Sequence, residues 1–420
     1  MRAKKDRVQV VVIGGGPAGS TVATLLAEGG LVVRLLEKET FPRYHIGESL
    51  IPETYWTFQR LGLVETLKAS EFTRKYSVQF ISQSGKPSRP FYFQERDPHE
   101  SSVTWQVERA EFDTMMLDRA RETSVDVQHG QTVERVLFDG GRAIGVRGLD
   151  AAGEGFEVFC DVVVDASGLH SILARQLGWL KPDPHLAKAA VFGQYENAHR
   201  DSGLDEGATL IIHTQGNRGW FWYIPLHRNR VSVGVVGAAA ELLKGRGRPA
   251  EVLAEEIAAC PAVAERLVSA TLLGKVSATS DYSYQATSSA GHGHVLVGDA
   301  FGFLDPIYSS GILLALKSGE LAADGILEAF AKQDFSGRQL GAFGGQLAEG
   351  MEAFRRLVYA FYTPGFSFAG FVSKHPEHRE DLIRILIGDV FKGGFEKLYA
   401  TLEPLCDRPD PQPLLGDGSG

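Results

Sequence analysis

Cysteine is scarce in this 420-residue chain. Cys160, Cys260 and Cys406 are odd in number, far apart and without CxxC spacing. They argue against a disulfide framework or a zinc site and fit a reducing cytoplasm. Long apolar runs are also missing: no uninterrupted stretch reaches bilayer length, so no membrane span is expected. Lys4, Lys5 and Arg7 lead into apolar residues 8–13, but that run is too short for a signal peptide and ends in glycines rather than a cleavage site. Positive charge is not in excess. Forty-three Lys and Arg face 52 Asp and Glu, a net charge of −9, so nothing electrostatic draws the surface to nucleic acid or an anionic membrane. Internal repeats are absent, and low complexity is confined to the Pro/Gly/Asp-rich residues 409–420, which read as a loose tail. The remaining composition, 44% hydrophobic and 23% charged, is that of a globular protein and excludes disordered, collagen-like and coiled-coil readings. The length suggests two or three domains, or one large α/β body carrying an inserted lobe. The 48 glycines are numerous, and several stand where chemistry is expected.

Residues 8–13 are a β-branched run, the composition of a buried parallel strand. Gly14-Gly15-Gly16-Pro17-Ala18-Gly19 follows, then helical composition over 20–28 and a second strand over 31–36 ending at Glu37. Strand, glycine turn, helix, strand, acid is the βαβ dinucleotide pattern. Gly14 permits the tight turn, Gly16 lets backbone approach a pyrophosphate and Gly19 lets helix pack on strand. The helix N-terminus favours the phosphates, and Glu37 stands where a carboxylate meets ribose hydroxyls. Residues 156–164 form a further apolar strand, followed by Asp165-Ala166-Ser167-Gly168. Another, 294–297, is followed by Gly298-Asp299-Ala300. Residues 190–236 alternate like antiparallel strands, 311–330 are helical and 340–402 are mostly helical and aromatic-rich. The expected fold is α/β: a Rossmann-like dinucleotide domain (1–80, 101–185 and 275–335), an inserted antiparallel-sheet substrate lobe (81–100 and 186–274), a C-terminal helical cap (336–405) and a tail (406–420).

The N-terminal fingerprint suits FAD or NAD. The second signal, Gly298-Asp299-Ala300, puts a carboxylate beside a sugar or ribityl hydroxyl. Together with Arg109 in Gln106-Val107-Glu108-Arg109 and the 165–168 segment, it resembles the flavin monooxygenase superfamily of the para-hydroxybenzoate hydroxylase type. Within that superfamily, three stretches resemble the flavin-dependent halogenases. One is Phe41-Pro42-Arg43-Tyr44-His45-Ile46-Gly47-Glu48-Ser49-Leu50-Ile51-Pro52, a HIGESL-type segment that lines the flavin in the halogenases; for His45 and Glu48 a loop hydrogen-bond pair is the competing reading. The second is Trp220-Phe221-Trp222-Tyr223-Ile224-Pro225, a WxWxIP match at Trp220, Trp222, Ile224 and Pro225. Residues two apart share a strand face, so the tryptophans build a wall that can keep an organic substrate from the flavin. A strand-face core pair is the alternative. The third is Phe303-Leu304-Asp305-Pro306-Ile307-Tyr308-Ser309-Ser310-Gly311, an FxxPxxSxG match at Phe303, Pro306, Ser309 and Gly311. Ser310 and Gly311 open a helix whose free N–H groups suit an anion, either halide or the flavin pyrimidine edge. The resemblance spans about residues 8–330 and is weaker in the cap. It implies cofactor contacts at Gly14, Gly16, Pro17, Ala18, Gly19, Glu37, Lys38, Arg43, Ile46, Gly47, Glu48, Ser49, Arg109, Val133, Ala166, Ser167, Gly168, Gly298, Asp299, Pro306, Gly311 and Ile312.

The resemblance also implies a catalytic lysine. In these enzymes reduced flavin and O₂ give a hydroperoxide, halide takes its distal oxygen as hypohalous acid, and a buried lysine delivers the halogen. Phe72-Thr73-Arg74-Lys75 matches the family's FxxKxG pattern except that Ser77 replaces the glycine, which points to Lys75; Lys68 is a helix-surface rival. Tyr308 stands where the free-tryptophan halogenases carry a glutamate, so the sequence looks closer to the branch acting on phenols or pyrroles, free or tethered to a carrier protein. The aromatic cluster Tyr359, Phe361, Tyr362, Phe366 and Phe368 reads as core packing or as a substrate box. With no second GxGxxG for NAD(P)H, the resemblance implies a partner flavin reductase supplying FADH₂ to a cytoplasmic enzyme that uses chloride or bromide. Three alternatives stay open: an FAD-dependent aromatic hydroxylase, a reductase similar to the geranylgeranyl reductases, and a flavin-binding protein without turnover.

Overall fold

A computed structural model describes residues 6–280 and 282–407. The expected tail therefore lies almost wholly outside the described residues, as do Lys4 and Lys5.

The β-branched segments assemble into a six-stranded sheet in the order Ala290–Gly291, His294–Leu296, Val162–Asp165, Val10–Ile13, Val33–Glu37, Asp126–His129. All of its pairings are parallel except the hairpin of the first two strands. Val10, Val11 and Val12 have no exposure, as a strand covered on both faces requires. Helix Pro17–Glu28 crosses one face and packs against helix Gly311–Lys332. The two approach closely because Gly319 has no side chain: a Cβ there would stand 2.8 Å from the Ala18 carbonyl oxygen. The chain leaves Val10–Ile13 toward Val33–Glu37 on one side, and Val162–Asp165 flanks it on the other. A ligand crevice therefore opens at the carboxyl ends of these strands.

The apolar run over 156–164 is two strands rather than one. Gly155–Phe159 belongs to a three-stranded antiparallel sheet with Arg142–Leu149 and Thr132–Asp139, and Val162–Asp165 enters the parallel sheet. Cys160 and Asp161 carry the chain between them; both halves are apolar, so composition alone does not reveal the break.

The inserted lobe is a seven-stranded sheet in the order Thr271–Ser280, Lys188–Glu196, Arg230–Ala238, Gly219–Pro225, Thr209–His213, Ser77–Ile81, Phe91–Tyr92. It is antiparallel except where Thr209–His213 runs parallel to Ser77–Ile81. The sheet thus takes in residues 77–80 and 275–280 besides strands from the expected 81–100 and 186–274. Alternation sorts its two faces. Val191, Leu210, Ile212, Phe221, Tyr223 and Val233 pack with Val252, Leu253 and Val263 of the covering helices Pro249–Ala258 and Pro261–Ala264. Phe192, Ile211, Trp220, Trp222 and Ile224 face the other way and join the core of the dinucleotide domain. Helices Gly344–Tyr362, Phe368–Lys374, Arg379–Ile387 and Glu396–Leu402 form the expected helical C-terminal region.

Candidate active site

The glycine loop fits a dinucleotide. Gly14 has φ +98°, and a Cβ there would lie 2.5 Å from the Ala166 carbonyl oxygen; at Gly19 it would lie 1.9 Å from that of Gly14. Above Gly16 a Cβ would meet only the Arg43 guanidinium, at 3.7 Å. The loop backbone is therefore approachable from outside, and helix Pro17–Glu28 starts without a side-chain cap. Its first-turn N–H groups are left for an anion such as a pyrophosphate.

Around the loop, Glu37 is buried, and its carboxylate accepts from the backbone N–H of Gly15 (2.7 Å) and of Glu39 (2.8 Å). This fixes its orientation at the strand end; hydroxyls would meet the remaining lone pairs. Val133 is buried in strand Thr132–Asp139, just after Gln131, whose N–H bonds the Glu37 carbonyl. Lys38 Nζ lies 2.7 Å from His170 Nε2 across the crevice. Arg43 is held by Asp113 at 3.0 Å and Glu39 at 3.2 Å. Ala166, Ser167 and Gly168 follow strand Val162–Asp165 on the far side. Gly298, at φ +58°, bonds through its N–H to Ser318 Oγ at 2.8 Å. Asp299 is pushed up to about 6 by burial, with Arg109 pulling the other way. Arg109 is buried and spends its guanidinium on Asp113 (2.8 and 3.0 Å) and on the carbonyls of Ile46 and Gly47. It anchors the 45–49 segment.

In that segment the competing reading, a His45–Glu48 hydrogen-bond pair, is not what forms. His45 is exposed, and its Nδ1 meets the Ile46 carbonyl at 2.8 Å. Glu48 points into the protein and accepts from Gln194 Nε2 at 2.7 Å. Burial raises it to about 7. The next residue, Ser49, leads to the lysine. Lys75 ends strand Thr73–Lys75, which pairs with Thr104–Gln106, and Ser49 bridges to Gln106 on that strand's far edge. The lysine side chain is fully buried. Its Nζ donates to Ser49 Oγ at 2.9 Å and the Leu50 carbonyl at 2.8 Å, with the Phe93 ring 5.5 Å away. Among the described residues no carboxylate pairs with it, and desolvation lowers it to about 7. Lys68 is instead a half-exposed ion-pair partner of Glu65 and Glu100.

Thr209 joins this cluster to the lobe: its hydroxyl lies 2.9 Å from Ser49 Oγ and 2.8 Å from Gln106 Nε2. Two residues further along that strand, Ile211 pairs with Trp222. The tryptophans do share a face, with ring centroids 6.2 Å apart. Trp222 lies flat on Gly234, where a Cβ would come within 2.2 Å of the indole, and donates to Ser232 Oγ at 3.1 Å. Trp220 donates to the Tyr362 hydroxyl at 2.9 Å. Ile224 and Pro225 finish the strand, both buried. Pro306 opens a 3-10 turn, Pro306–Tyr308, and Ser310 caps helix Gly311–Lys332 without using its side chain. A Cβ on Gly311 would meet only the Phe303 ring, at 3.4 Å, so these amides also remain available to an anion. Ile312 is buried behind them. The Tyr308 hydroxyl is spent on the Leu357 carbonyl at 3.0 Å. Of the aromatic cluster, Tyr362 and Phe361 reach Trp220, while Phe366 and Phe368 pack on each other. An open concavity of about 750 Å³ lined by Pro42, Leu63, Thr66 and Met115 contains none of the expected site residues.

The sequence reading missed Thr209, Gln194, Ser232 and Gln106. Their one signal is position: three of them are polar residues on the lobe face that otherwise carries Phe192, Ile211, Trp222 and Ile224.

Comparison with known proteins identifies the family. The family model described as tryptophan halogenase matches residues 9–101 and 94–365. A 1H-pyrrole-2-carbonyl-(peptidyl-carrier protein) chlorinase of Pseudomonas fluorescens is 31% identical over 405 residues, 91% of this chain and 90% of the relative. The corresponding brominase of Pseudoalteromonas luteoviolacea is 32% identical over 392 residues, 91% of this chain and 92% of its own. The structure of the flavin-dependent brominase Bmp2 superposes with a TM-score of 0.85 at 30% identity, covering 95% of this chain and 98% of that one. A glycine loop shaped for a dinucleotide, the two-tryptophan strand and this likeness along nearly the whole chain together establish that the protein belongs to the tryptophan halogenase family of FAD-dependent halogenating enzymes.

Proposed function

We propose that the protein halogenates an electron-rich aromatic substrate, a pyrrole or phenol presented on a carrier protein, with Lys75 delivering the halogen. The observation that carries this is the state of Lys75: a fully buried amine, desolvated to a pKa of about 7 and paired with no acid among the described residues. A structural lysine in such a place would be expected to hold a carboxylate. An unpaired one is poised to be neutral, and so nucleophilic, near neutral pH.

When bound in reduced form, FAD would supply the electrons that, with O₂ and chloride or bromide, yield hypohalous acid. The chain's own residues do the rest. The loop Gly14–Gly19 and the N-terminus of Pro17–Glu28 hold the pyrophosphate, Glu37 the ribose and Asp299 the ribityl chain, while the amides of Ser310 and Gly311 receive halide. Ser49 and the Leu50 carbonyl orient the Lys75 amine. The amine takes the halogen as an N–H bond is exchanged for N–halogen and water leaves, then passes it to a ring carbon whose proton is released. The tryptophan wall keeps the aromatic ring away from the flavin. With the Tyr308 hydroxyl bound to Leu357, that position supplies no carboxylate to the substrate, which suits rings activated by their own nitrogen or hydroxyl. The carrier-linked pyrrole named for both similar enzymes supports this substrate class. A flavin reductase in a shared cytoplasmic compartment would supply FADH₂.

The test combines the protein with FAD, NADH, a flavin reductase, bromide and pyrrole-2-carbonyl or hydroxyphenyl groups, free and carrier-linked. Mass spectrometry should show the bromine isotope doublet on the carrier-linked substrates. Oxygen insertion without any bromide requirement would instead establish a hydroxylase.

A further inference from the structure

The Trp220 indole N–H bonds outside its own sheet. Its N–H donates to the Tyr362 hydroxyl at 2.9 Å, and that hydroxyl donates to Asp305 Oδ2 at 3.0 Å. Three separate parts of the fold meet at one phenol oxygen: strand Gly219–Pro225, the last residue of cap helix Gly344–Tyr362, and the Phe303–Gly311 segment that leads into the candidate halide site. Asp305 is 2% exposed, and its second oxygen is fixed by the Ile307 N–H at 3.0 Å, so its position is set by the turn that carries Pro306. The phenol ring is pinned from another side by the Lys188 ammonium, 4.0 Å from its centroid. Phe361, the residue before, packs edge-on to Trp220 and stacks on His213. Trp222, in contrast, donates within the lobe, to Ser232.

We propose that Tyr362 is a positioning residue for the wall: held by Asp305, its hydroxyl fixes the Trp220 indole, so that the cap helix governs how completely the oxidised halide is kept on its way to Lys75. This rests on the halogen-transfer reading above. A phenol at the junction of cap, wall and halide segment makes wall closure depend on the seating of the cap, and substrate that packs against the cap would bear on the same contact.

The experiment measures partition in the FAD-loaded enzyme supplied with a flavin reductase, NADH and bromide. An added β-diketone takes bromine at its central carbon from hypobromous acid, releasing water, and so reports oxidised halide that escapes. Tyr362→Phe keeps the ring and removes the bond. It is expected to raise the escaping fraction at least threefold, with product falling correspondingly in kcat and little change in KM. Asp305→Ala should leak similarly and Asp305→Asn, which still accepts from the phenol, less. Trp220→Phe should leak as well, and Tyr362→Phe added to it should leak no further. An unchanged escaping fraction in Tyr362→Phe, or full additivity with Trp220→Phe, overturns the proposal. Failure of the halogen-transfer reading would look different: the unmodified enzyme would give neither brominated product nor trapped bromine.

Discussion

The free energy stored at Lys75 makes two kinds of measurement agree or disagree. An unfolded lysine holds its proton to about pH 10.4, but the folded amine releases it near 7. Between those values the unfolded state binds the extra proton, so stability rises with pH across that window. Below pH 7 both states are protonated and the cost of burying the charge is fully felt. Lys75→Met should therefore be more stable than the wild type at pH 6, by on the order of 2–4 kcal/mol after losing the bonds to Ser49 and Leu50. Its advantage should shrink as pH rises toward 10. Denaturant melts at several pH values read this directly, and a pH-independent difference would mean that the amine is not desolvated. The same variant should form no halogenated product while reduced flavin is still reoxidised. In the wild type, halogen transfer should climb from pH 6 to 8 as the neutral amine appears, because only that form accepts halogen; a rate that falls over this range would assign the work to the ammonium.

At the scale of elements, the wall is built by one strand lying on its neighbour's missing side chain. Gly234 pairs with Trp222 across the sheet, and any Cβ at 234 enters the indole. Gly234→Ala should push Trp222 off its seat and away from Ser232, costing roughly 1–3 kcal/mol of stability as overpacking does. A red-shifted tryptophan emission would check it, and an unshifted spectrum with wild-type stability would show that the ring relaxes elsewhere at no cost. Nothing in the sequence singled out Gly234 among the glycines, since its constraint comes from a partner strand. The elements that were legible are those whose signal is local. The Gly14–Gly19 loop between two strands, the period-two tryptophans and the helix opening at Gly311 each carry their geometry within a few residues. The Ser49–Thr209–Gln106 contacts and the Tyr362–Asp305 bond were not legible, because each joins residues more than fifty positions apart and depends on how the lobe and cap settle on the parallel sheet. The run over 156–164 shows the same limit in reverse: it reads as one strand because both halves are rich in valine and phenylalanine, although Gly155–Phe159 is largely exposed or half-buried and Val162–Asp165 is fully buried.

For the molecule as a whole, the crevice proposed to hold the cofactor is discontinuous. Residues 14–19, 37–49, 109, 165–168 and 298–312 come from distant stretches that meet only in the folded state. FAD held among them binds the native form and not the unfolded chain, so it stabilises by mass action: about 2.7 kcal/mol at one hundred times the dissociation constant. Melting should therefore shift upward with FAD concentration and sharpen as separate segments are tied together. Gly19→Ala tests whether the glycine loop is the anchor. A Cβ there would stand 1.9 Å from the Gly14 carbonyl oxygen, so the helix must withdraw from the turn, and its amides withdraw from the pyrophosphate with it. The variant is expected to bind FAD at least tenfold more weakly and to lose most of the FAD-dependent rise in melting temperature. Equilibrium dialysis with FAD separates this from simple instability, because it reports affinity at a temperature where the apo form remains folded. Unaltered affinity in Gly19→Ala would show that the loop tolerates a wider turn and that the Ala166–Gly168 and Gly298–Asp299 segments hold the cofactor without it.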